Sequence, residues 1–259
     1  MTPGWSRVPL TVVLDHAHGG RWTSLRSAGR EWLWRNPDPE VQRRRQQVQR
    51  HDAFVDAGGL EELLPTIRGV PDHGDVWSRP WVPGREDGCS EVACELVGPR
   101  GEPVPGRLAR RVTSDAGTVR ADYLLQGPPG ARFLHAAHAL LELGEDARVE
   151  VGPAARVAAA VQDPDVGGRP LAWPAGLDRL ALRWSADVPA PRSLVLWRNL
   201  GGWPQPHPYR SVGVEPMVGS AIEQHRARPG QRVVLPAGGE FRWWLELEAS
   251  RGPADPDPG

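Results

Sequence analysis

Apolar and polar side chains alternate with a period of two in many short segments of this chain of 259 residues. The clearest segment is FRWWLELE at residues 241–248. Successive side chains of a β-strand point to opposite faces of a sheet, so this alternation turns one row toward a core and the other toward solvent. Sustained helical periodicity is scarce. The pattern therefore predicts an all-β protein.

The same alternation marks strands along most of the chain. The predicted strands are residues 8–15, 21–26, 31–35, 90–98, 107–115, 119–123, 132–143, 148–151, 180–184, 193–197 and 241–248. Residues 27–29 (SAG) and 114–117 (SDAG) predict the turns of two hairpins. Glycine and proline together make up 58 of the 259 residues, which is typical of many short strands joined by turns. We therefore expect a large antiparallel β-sandwich.

The chain contains no internal repeat of fixed period and no linker long enough to divide it. Residues 1–250 are predicted to form a single domain, and residues 251–259 (RGPADPDPG) a disordered tail. Residues 39–50 (PEVQRRRQQVQR) depart from the strand pattern and could form a short helix or a solvated loop. A phosphate-binding patch is conceivable there, but a charge run without interleaved aromatic residues favours a solvated surface.

Charge and composition exclude several classes of function. The net charge of −1 argues against nucleic-acid binding, and no apolar stretch is long enough to span a membrane. Residues 1–14 do not have the pattern of a signal peptide. Cys89 and Cys94 are five apart and would point to opposite faces of a strand, so we expect reduced thiols and a cytoplasmic protein. All 31 basic residues are arginine, which excludes a Schiff-base or Walker lysine.

The sequence predicts neither a metal nor an organic cofactor. The motifs GxSxG, HExxH and GxGxxG are absent. His135 and His138 are three apart, so on a strand they would face opposite sides and could not bind one metal together. His16 and His18 would share a face, but only one carboxylate lies near them in the sequence, so we expect no zinc site.

Three segments combine residue types that can move protons. Residues 58–79 contain His73 and Arg79 in what the pattern indicates is an irregular loop, and residues 135–143 carry His138 on the same face as Leu140. Residues 209–219 form a short apolar strand predicted to end at Glu215. Each segment, taken alone, also has a structural explanation: the histidine could be a hydrogen-bonded core residue, and the glutamate could be solvated. Together they supply one carboxylate, two imidazoles and one guanidinium, which suffice for general acid–base catalysis without a cofactor.

In this order, the three segments resemble the aldose 1-epimerase (mutarotase) family. The matching stretches are GGLEELLPT at 58–66, DHG at 72–74 with Arg79, HALLEL at 138–143 and VEPM at 214–217. The first is similar to a family segment that reads roughly Gly-Gly-Trp-Asp-Glu-x-Phe-Pro-Thr. The others resemble the segments that carry the pocket imidazole and arginine, the general-acid histidine and the general-base glutamate. Order and spacing match over about residues 8–248.

The resemblance implies a β-sandwich of the galactose-mutarotase-like (supersandwich) type and an enzyme that interconverts sugar anomers. It implies that Glu215 is the general base, His138 the general acid, and that His73 assists at the sugar ring. The substrate would be a small sugar, a hexose or a relative, bound by a monomer or a homodimer.

The resemblance also implies that Arg79, beside Asp72, anchors sugar hydroxyls or an acidic substituent. Because indole rings stack on the C–H faces of pyranoses, Trp77 and Trp197 are predicted to contact the sugar. The family's aromatic-Asn pair after the acid histidine is Leu-Glu at 141–142 in this chain. By position, Asp178 and Asp187 are candidates for an acidic residue that would bind sugar hydroxyls.

Two other functions remain open from the sequence. One is a carbohydrate-binding protein on the same sandwich that does not turn its ligand over. The other is a hydrolase, in which Glu215 would form a carboxylate pair with Glu61 or Glu62. If Glu215 and His138 face each other with room for one pyranose, catalysis is favoured, whereas a filled cleft or a buried salt bridge between them favours another role.

Overall fold

The computed structural model describes residues 5–86, 88–142, 149, 151, 157–160, 178–203 and 208–252. In chain order, the strands are β1 Ser6–Arg7, β2 Leu10–Asp15, β3 Arg21–Ser27, β4 Arg30–Glu31, β5 Leu60–Leu63, β6 Val82–Pro83, β7 Cys89–Val97, β8 Pro103–Asp115, β9 Thr118–Gln126, β10 Arg132–Phe133, β11 His135–Leu141, β12 Val157–Ala160, β13 Asp178–Ala186, β14 Arg192–Leu200, β15 Arg210–Val218, β16 Val233–Val234 and β17 Glu240–Arg251. The helix α1 spans Pro39–Arg45, and two short 3₁₀ helices span Val76–Ser78 and Gln224–Arg226.

The strands form two sheets. In sheet A the order is β1-β17-β9-β8-β7-β10-β16, with β13 also paired to β17 and β6 to β7. In sheet B the order is β12-β14-β15-β11-β5-β3-β2, with β4 paired to β3. Strands β12 and β14 run parallel, and the other described pairs are antiparallel. The prediction of a large antiparallel β-sandwich is confirmed.

Both predicted hairpin turns are present, and their backbones explain why the sequence turns there. Ala28 and Gly29 join β3 to β4, and Ala116 with Gly117 joins β8 to β9. All four residues have a positive φ. A two-residue turn of this kind matches the right-handed twist of the flanking strands, and glycine adopts it at little cost.

The structure corrects three strand predictions. Residues 58–79 are not simply an irregular loop, because they contain β5, whose four residues are buried. The predicted strand at 31–35 is reduced to the short β4 and two isolated bridges, at Leu33 and Arg35. Strand β15 does not end at Glu215 but continues through Val218. Of the strand predicted at 148–151, residues 148 and 150 lie outside the described residues, and residues 149 and 151 are in no strand.

The first residue of the predicted tail lies in a strand. Arg251 is the last residue of β17, where it lies opposite Ser6 of β1 and donates a hydrogen bond of 2.9 Å to Asp178. Residues 253–259 lie outside the described residues. The single domain proposed for residues 1–250 stays a prediction.

The arginine-rich segment forms α1 rather than a uniformly solvated surface. The Asp38 carboxylate caps the helix by accepting a hydrogen bond of 2.8 Å from the backbone N–H of Glu40, and Pro39 occupies the first turn. Arg43 is exposed and bonds to Glu40, as expected for a wet helix face. Arg45, however, is only 1% exposed. The last turn of α1 therefore delivers one arginine to the interior.

The main apolar core lies between the sheets, and the outer face of sheet B carries smaller buried clusters of its own. Cys94 is buried and Cys89 partly buried, and both are free thiols, as predicted. Within the described residues, none of the helices has the length and apolar character needed to cross a bilayer.

Candidate active site

The register of sheet B places the predicted catalytic histidine between two carboxylates. Strand β11 pairs with β5 on one side and with β15 on the other. His138 is opposite Glu61 on β5, and the pairs on either side of it place it opposite Glu215 on β15. Because Ala137 and Ala139 face the core between the sheets, His138 points to the outer face of sheet B. We call this face the site face.

His138 and Glu215 are in direct contact. The Nδ1 atom of His138 lies 2.9 Å from Oε1 of Glu215, and both side chains are nearly buried. Burial opposes the charge on the imidazole, but the Glu215 carboxylate, with Asp56 and Glu61 nearby, outweighs it and raises the pKa of His138 to about 9. His138 is therefore a cation at neutral pH. Neither ring nitrogen has a well-aligned hydrogen-bond partner among the described residues.

The carboxylate on the other side of His138 is bound by an arginine. Arg45 donates two hydrogen bonds of 2.8 Å to Glu61, from Nε and Nη2. Its Nη2 also donates to the carbonyl oxygens of His18 and Trp77, and its guanidinium lies 5.1 Å from the centre of the Trp77 ring. Such a bidentate pair holds both partners in one geometry. Glu61 is thus neutralised by an arginine. Glu215 has no arginine partner among the described residues and is the carboxylate available to exchange a proton.

An aromatic residue covers the two imidazoles. The ring of Phe54 stacks on His73 at 3.9 Å between centroids and 5° between planes. It meets His138 edge-on at 5.7 Å and Trp77 at 4.9 Å, while the two imidazoles are 5.8 Å apart. Phe54 lies in the connection between α1 and β5, where no strand or helix pattern marks it. The sequence therefore carried no signal that would have identified it.

The imidazole of His73 is held by its neighbour. Nδ1 of His73 lies 2.8 Å from Oδ2 of Asp72, and His73 has a φ of 61°, which turns the loop sharply at this point. Burial works against the charge on Asp72, but the hydrogen bond and charge of His73 keep the pKa of that carboxyl below its ordinary value. Asp72 thus orients His73 and is itself half exposed.

On the other side of His138, the site face carries aromatic residues. The Tyr209 hydroxyl donates a short hydrogen bond to Asp56, and its ring stacks on Trp34 at 4.9 Å. Burial, and then the Asp56 charge, raises the pKa of Tyr209. Trp197 meets Trp203 edge-on at 6.3 Å. Asp56 is an acidic group near His138 that the sequence did not single out.

A glycine leaves room for the Glu215 carboxylate. Gly213 lies two positions before Glu215 on β15 and so shares its face. A Cβ atom at position 213 would lie 2.7 Å from Oε1 of Glu215 and 3.0 Å from Cβ of Trp197. Any larger residue would therefore displace the carboxylate or the indole.

The structure brings together most of the predicted site residues, but not all. His138, His73 and Trp77 contact the ring of Phe54, and Glu215 contacts His138. Trp197 lies opposite Gly213, two residues from Glu215 on the same face of the sheet. Arg79 instead donates a short hydrogen bond to the buried Asp75, and none of its described contacts reaches this group. Arg45, and not Arg79, supplies a guanidinium to the site face, where it is bound to Glu61 opposite His138.

None of the other four acidic candidates is available beside His138 as a second free carboxylate. Asp178 pairs with Arg251 at the edge of sheet A. Asp187 lies just after β13, also in sheet A. Of the two glutamates considered for a hydrolase, Glu61 shares the site face with Glu215 but is bound to Arg45, and Glu62 points into the core between the sheets.

That inward-facing glutamate belongs to a second polar cluster. Glu62 accepts hydrogen bonds of 2.7 Å from Arg110 and 2.9 Å from Tyr123, and its other oxygen lies 2.8 Å from Nε2 of His135. All four side chains are at most 3% exposed. We call this group the inner cluster.

The described residues contain no group of three His, Cys, Asp or Glu side chains arranged to hold a metal ion.

The comparisons with known proteins support the fold. No protein-family model and no curated protein matches the chain. Solved structures do. A galactose mutarotase-like protein of Lactobacillus casei superposes with a TM-score of 0.57 at 16% identity, over 93% of this chain and 97% of its own. A galactose 1-epimerase of Lactobacillus acidophilus gives 0.54 at 13%, over 95% and 92%. A candidate aldose 1-epimerase of Escherichia coli K12 gives 0.60 at 14%, over 95% and 99%. The chain therefore has the galactose-mutarotase-like fold.

Proposed function

We propose that the protein is an aldose 1-epimerase-like isomerase that interconverts the anomers of a small sugar without a cofactor. The observation that carries this proposal is the contact of 2.9 Å between His138, whose pKa is raised, and Glu215, a carboxylate that no arginine holds among the described residues. Ring opening requires an acid at the ring oxygen and a base at the C1 hydroxyl, so the contact between His138 and Glu215 would have to open when the sugar enters. The fold shared with proteins named as mutarotases is consistent with this function but does not establish it.

The proton movements balance within the pair. Glu215 accepts the proton of the C1 hydroxyl as the bond between C1 and the ring oxygen breaks, and His138 gives its proton to that oxygen. The C1–C2 bond then rotates, and the open aldehyde closes on its other face. In closure His138 recovers a proton from the attacking hydroxyl while Glu215 returns one to the new C1 oxygen. Each positioned group typically contributes about 10²–10⁴-fold to the rate.

The neighbouring groups have supporting roles in this proposal. His73, oriented by Asp72, would donate to or accept from a sugar hydroxyl, and Trp77 would contact the sugar ring. The Phe54 ring now fills the space that His73, His138 and Trp77 enclose. Phe54 would therefore swing aside when the sugar enters, and the sugar oxygens would then separate His138 from Glu215. The free cysteines are consistent with a cytoplasmic location.

The proposal is tested by following the mutarotation of freshly dissolved α-glucose and α-galactose by polarimetry, with the uncatalysed rate subtracted. Glu215→Gln and His138→Gln should each lower the catalysed rate by about 10²–10⁴-fold. The matched control is Glu240→Gln, which removes an exposed carboxylate of sheet A and should leave the rate unchanged. Wild-type rates in both site variants would refute the assignment.

A second candidate function is sugar binding without turnover. Both features that the sequence reasoning assigned to a role other than catalysis are present: His138 and Glu215 form a buried salt bridge of 2.9 Å, and Phe54 packs against both imidazoles. Isothermal titration with the same sugars separates the two functions. Saturable binding by a wild-type protein that does not accelerate mutarotation would support the binding protein and exclude the enzyme.

A further inference from the structure

One tryptophan on the site face is exposed although the backbone that carries it is held by hydrogen bonds. Trp203 is 49% exposed. Residues 201–203 follow β14 and are held by Asn199, which is 4% exposed. Its Oδ1 accepts hydrogen bonds of 3.2, 3.2 and 3.3 Å from the backbone N–H groups of Gly201, Gly202 and Trp203, and its Nδ2 donates one of 2.6 Å to the Trp203 carbonyl. The backbone at Trp203 is thus preorganised.

Trp203 is linked to the candidate active site by ring contacts. Its indole meets Trp197 edge-on at 6.3 Å and Tyr209 at 5.9 Å. Trp197 lies opposite Gly213. Gly213 is two residues before Glu215 on β15, so their Cα atoms are roughly 7 Å apart and their side chains share one face. The aromatic surface therefore begins beside the catalytic pair and extends outward to Trp203.

Leaving a large apolar ring half in water forgoes much of its burial energy, so its exposure on a fastened loop suggests a ligand. A rigid indole loses little conformational entropy when a ligand stacks on it. The C–H face of a pyranose is flat and weakly polar and suits such a ring. We propose that Trp203, with Trp197, forms a second sugar subsite. The preferred ligand is then at least a disaccharide, with its reducing ring at His138 and Glu215 and its next ring on Trp203.

This inference rests on the proposed position of the reducing ring, so the experiment measures binding separately from turnover. Isothermal titration compares maltose, cellobiose and lactose with glucose and galactose. The wild-type protein should bind at least one disaccharide about tenfold more tightly than its monosaccharides. Trp203→Ala should abolish that preference, and Trp203→Phe, which keeps a stacking ring, should recover part of it. Trp244→Ala, which removes a partly exposed indole from sheet A, is the matched control and should retain the full preference.

The possible outcomes separate the two proposals. If wild-type protein binds disaccharides no better than monosaccharides, or if Trp203→Ala weakens both equally, the subsite is refuted even where mutarotation is observed. If the preference depends on Trp203 but the protein does not accelerate mutarotation, the subsite stands and the proposed enzymatic function fails. Asn199→Ala, which keeps the indole but releases its loop, should reduce the preference less than Trp203→Ala does.

Discussion

Two histidines of β11, three residues apart, each pair with a glutamate of a neighbouring strand, and the two pairs lie on opposite faces of sheet B. His135 pairs with Glu62 between the sheets, and His138 pairs with Glu215 on the site face. The two distances, 2.8 and 2.9 Å, are almost equal. What differs is the surroundings of each pair. The inner pair is completed by Arg110 and Tyr123, whereas neither ring nitrogen of His138 has a well-aligned partner in the described part of the chain.

The comparison shows that residue types alone do not separate the two pairs: the inner pair has two further hydrogen-bond donors, whereas the pair that we propose to be reactive has no such donors among the described residues. In the inner cluster burial opposes the Glu62 charge, but His135 and Arg110 together keep the pKa of that carboxyl below its usual value. Burial raises the pKa of Tyr123 well above its usual value. Each of the four side chains has a partner within the cluster, although Nε of Arg110 has none among the described residues. On the site face, we propose that His138 can pass its proton to a ligand.

The largest expected effect is on the inner cluster. Glu62→Gln removes the carboxylate that neutralises Arg110 and leaves an uncompensated cation between the sheets, so the free energy of unfolding should fall by about 3–5 kcal/mol. Urea titration measures this. The exposed Glu240→Gln should change it by less than about 0.5 kcal/mol. A loss below 1 kcal/mol in Glu62→Gln would mean that the inner cluster does not hold the sheets together.

The second-largest effect is a pH dependence of the free energy of unfolding, caused by the pair of His138 and Glu215. The pKa of His138 is raised from 6.5 to about 9 in the folded state, so the stabilisation is complete below pH 6.5 and is lost as the pH rises toward 9. The loss should be on the order of 3 kcal/mol over that window. Denaturant titrations at pH 6 to 9.5 should show it in the wild type, and His138→Gln should flatten the profile. An equal slope in both proteins would assign the effect to other groups.

A smaller effect, on the rate of mutarotation, is expected from substituting Gly213 next to the Glu215 carboxylate. In Gly213→Ala, the new Cβ meets the flexible end of Glu215, so the fold should persist while the carboxylate moves. We expect kcat for mutarotation to fall about tenfold, or roughly 1.4 kcal/mol, with a shifted pH–rate profile and little change in KM. Gly238→Ala, at a position with open space and an ordinary φ, is the control. Unchanged kinetics in Gly213→Ala would show that the position of the carboxylate is not critical.

The smallest expected effect concerns the ring that covers the imidazoles. Phe54→Ala removes the side chain that a sugar would have to displace, so KM should fall by about threefold, or roughly 0.7 kcal/mol. Initial rates at varied sugar concentration measure it. A rise in KM would contradict this interpretation and indicate that Phe54 itself stacks on the sugar.

Strand periodicity predicted the all-β class and the separation of His135 from His138, because the period of two is a local property of extended backbone. The two hairpin turns were predicted from their small and glycine residues. The same rule correctly placed His138 on the face of Leu140. The family resemblance selected Glu215, His138, His73 and Trp77 as a group, and the structure brings them together. It also selected Arg79, whose contacts are instead with Asp75.

The sequence by itself determined most of the long strands and the alternation of their two faces, since both follow from local backbone geometry, but it missed β5 and misplaced the end of β15. Only the tertiary structure decided that Arg45, from a segment that reads as a polar surface, is bound to Glu61, and that Phe54 lies over the two histidines. These contacts join residues from α1, from a connecting loop and from the strands of sheet B, so they depend on how the connections pack across the sheet. Local spacing carries no information about that packing. For this reason it could not distinguish Glu61, which is bound to an arginine, from Glu215, which is not.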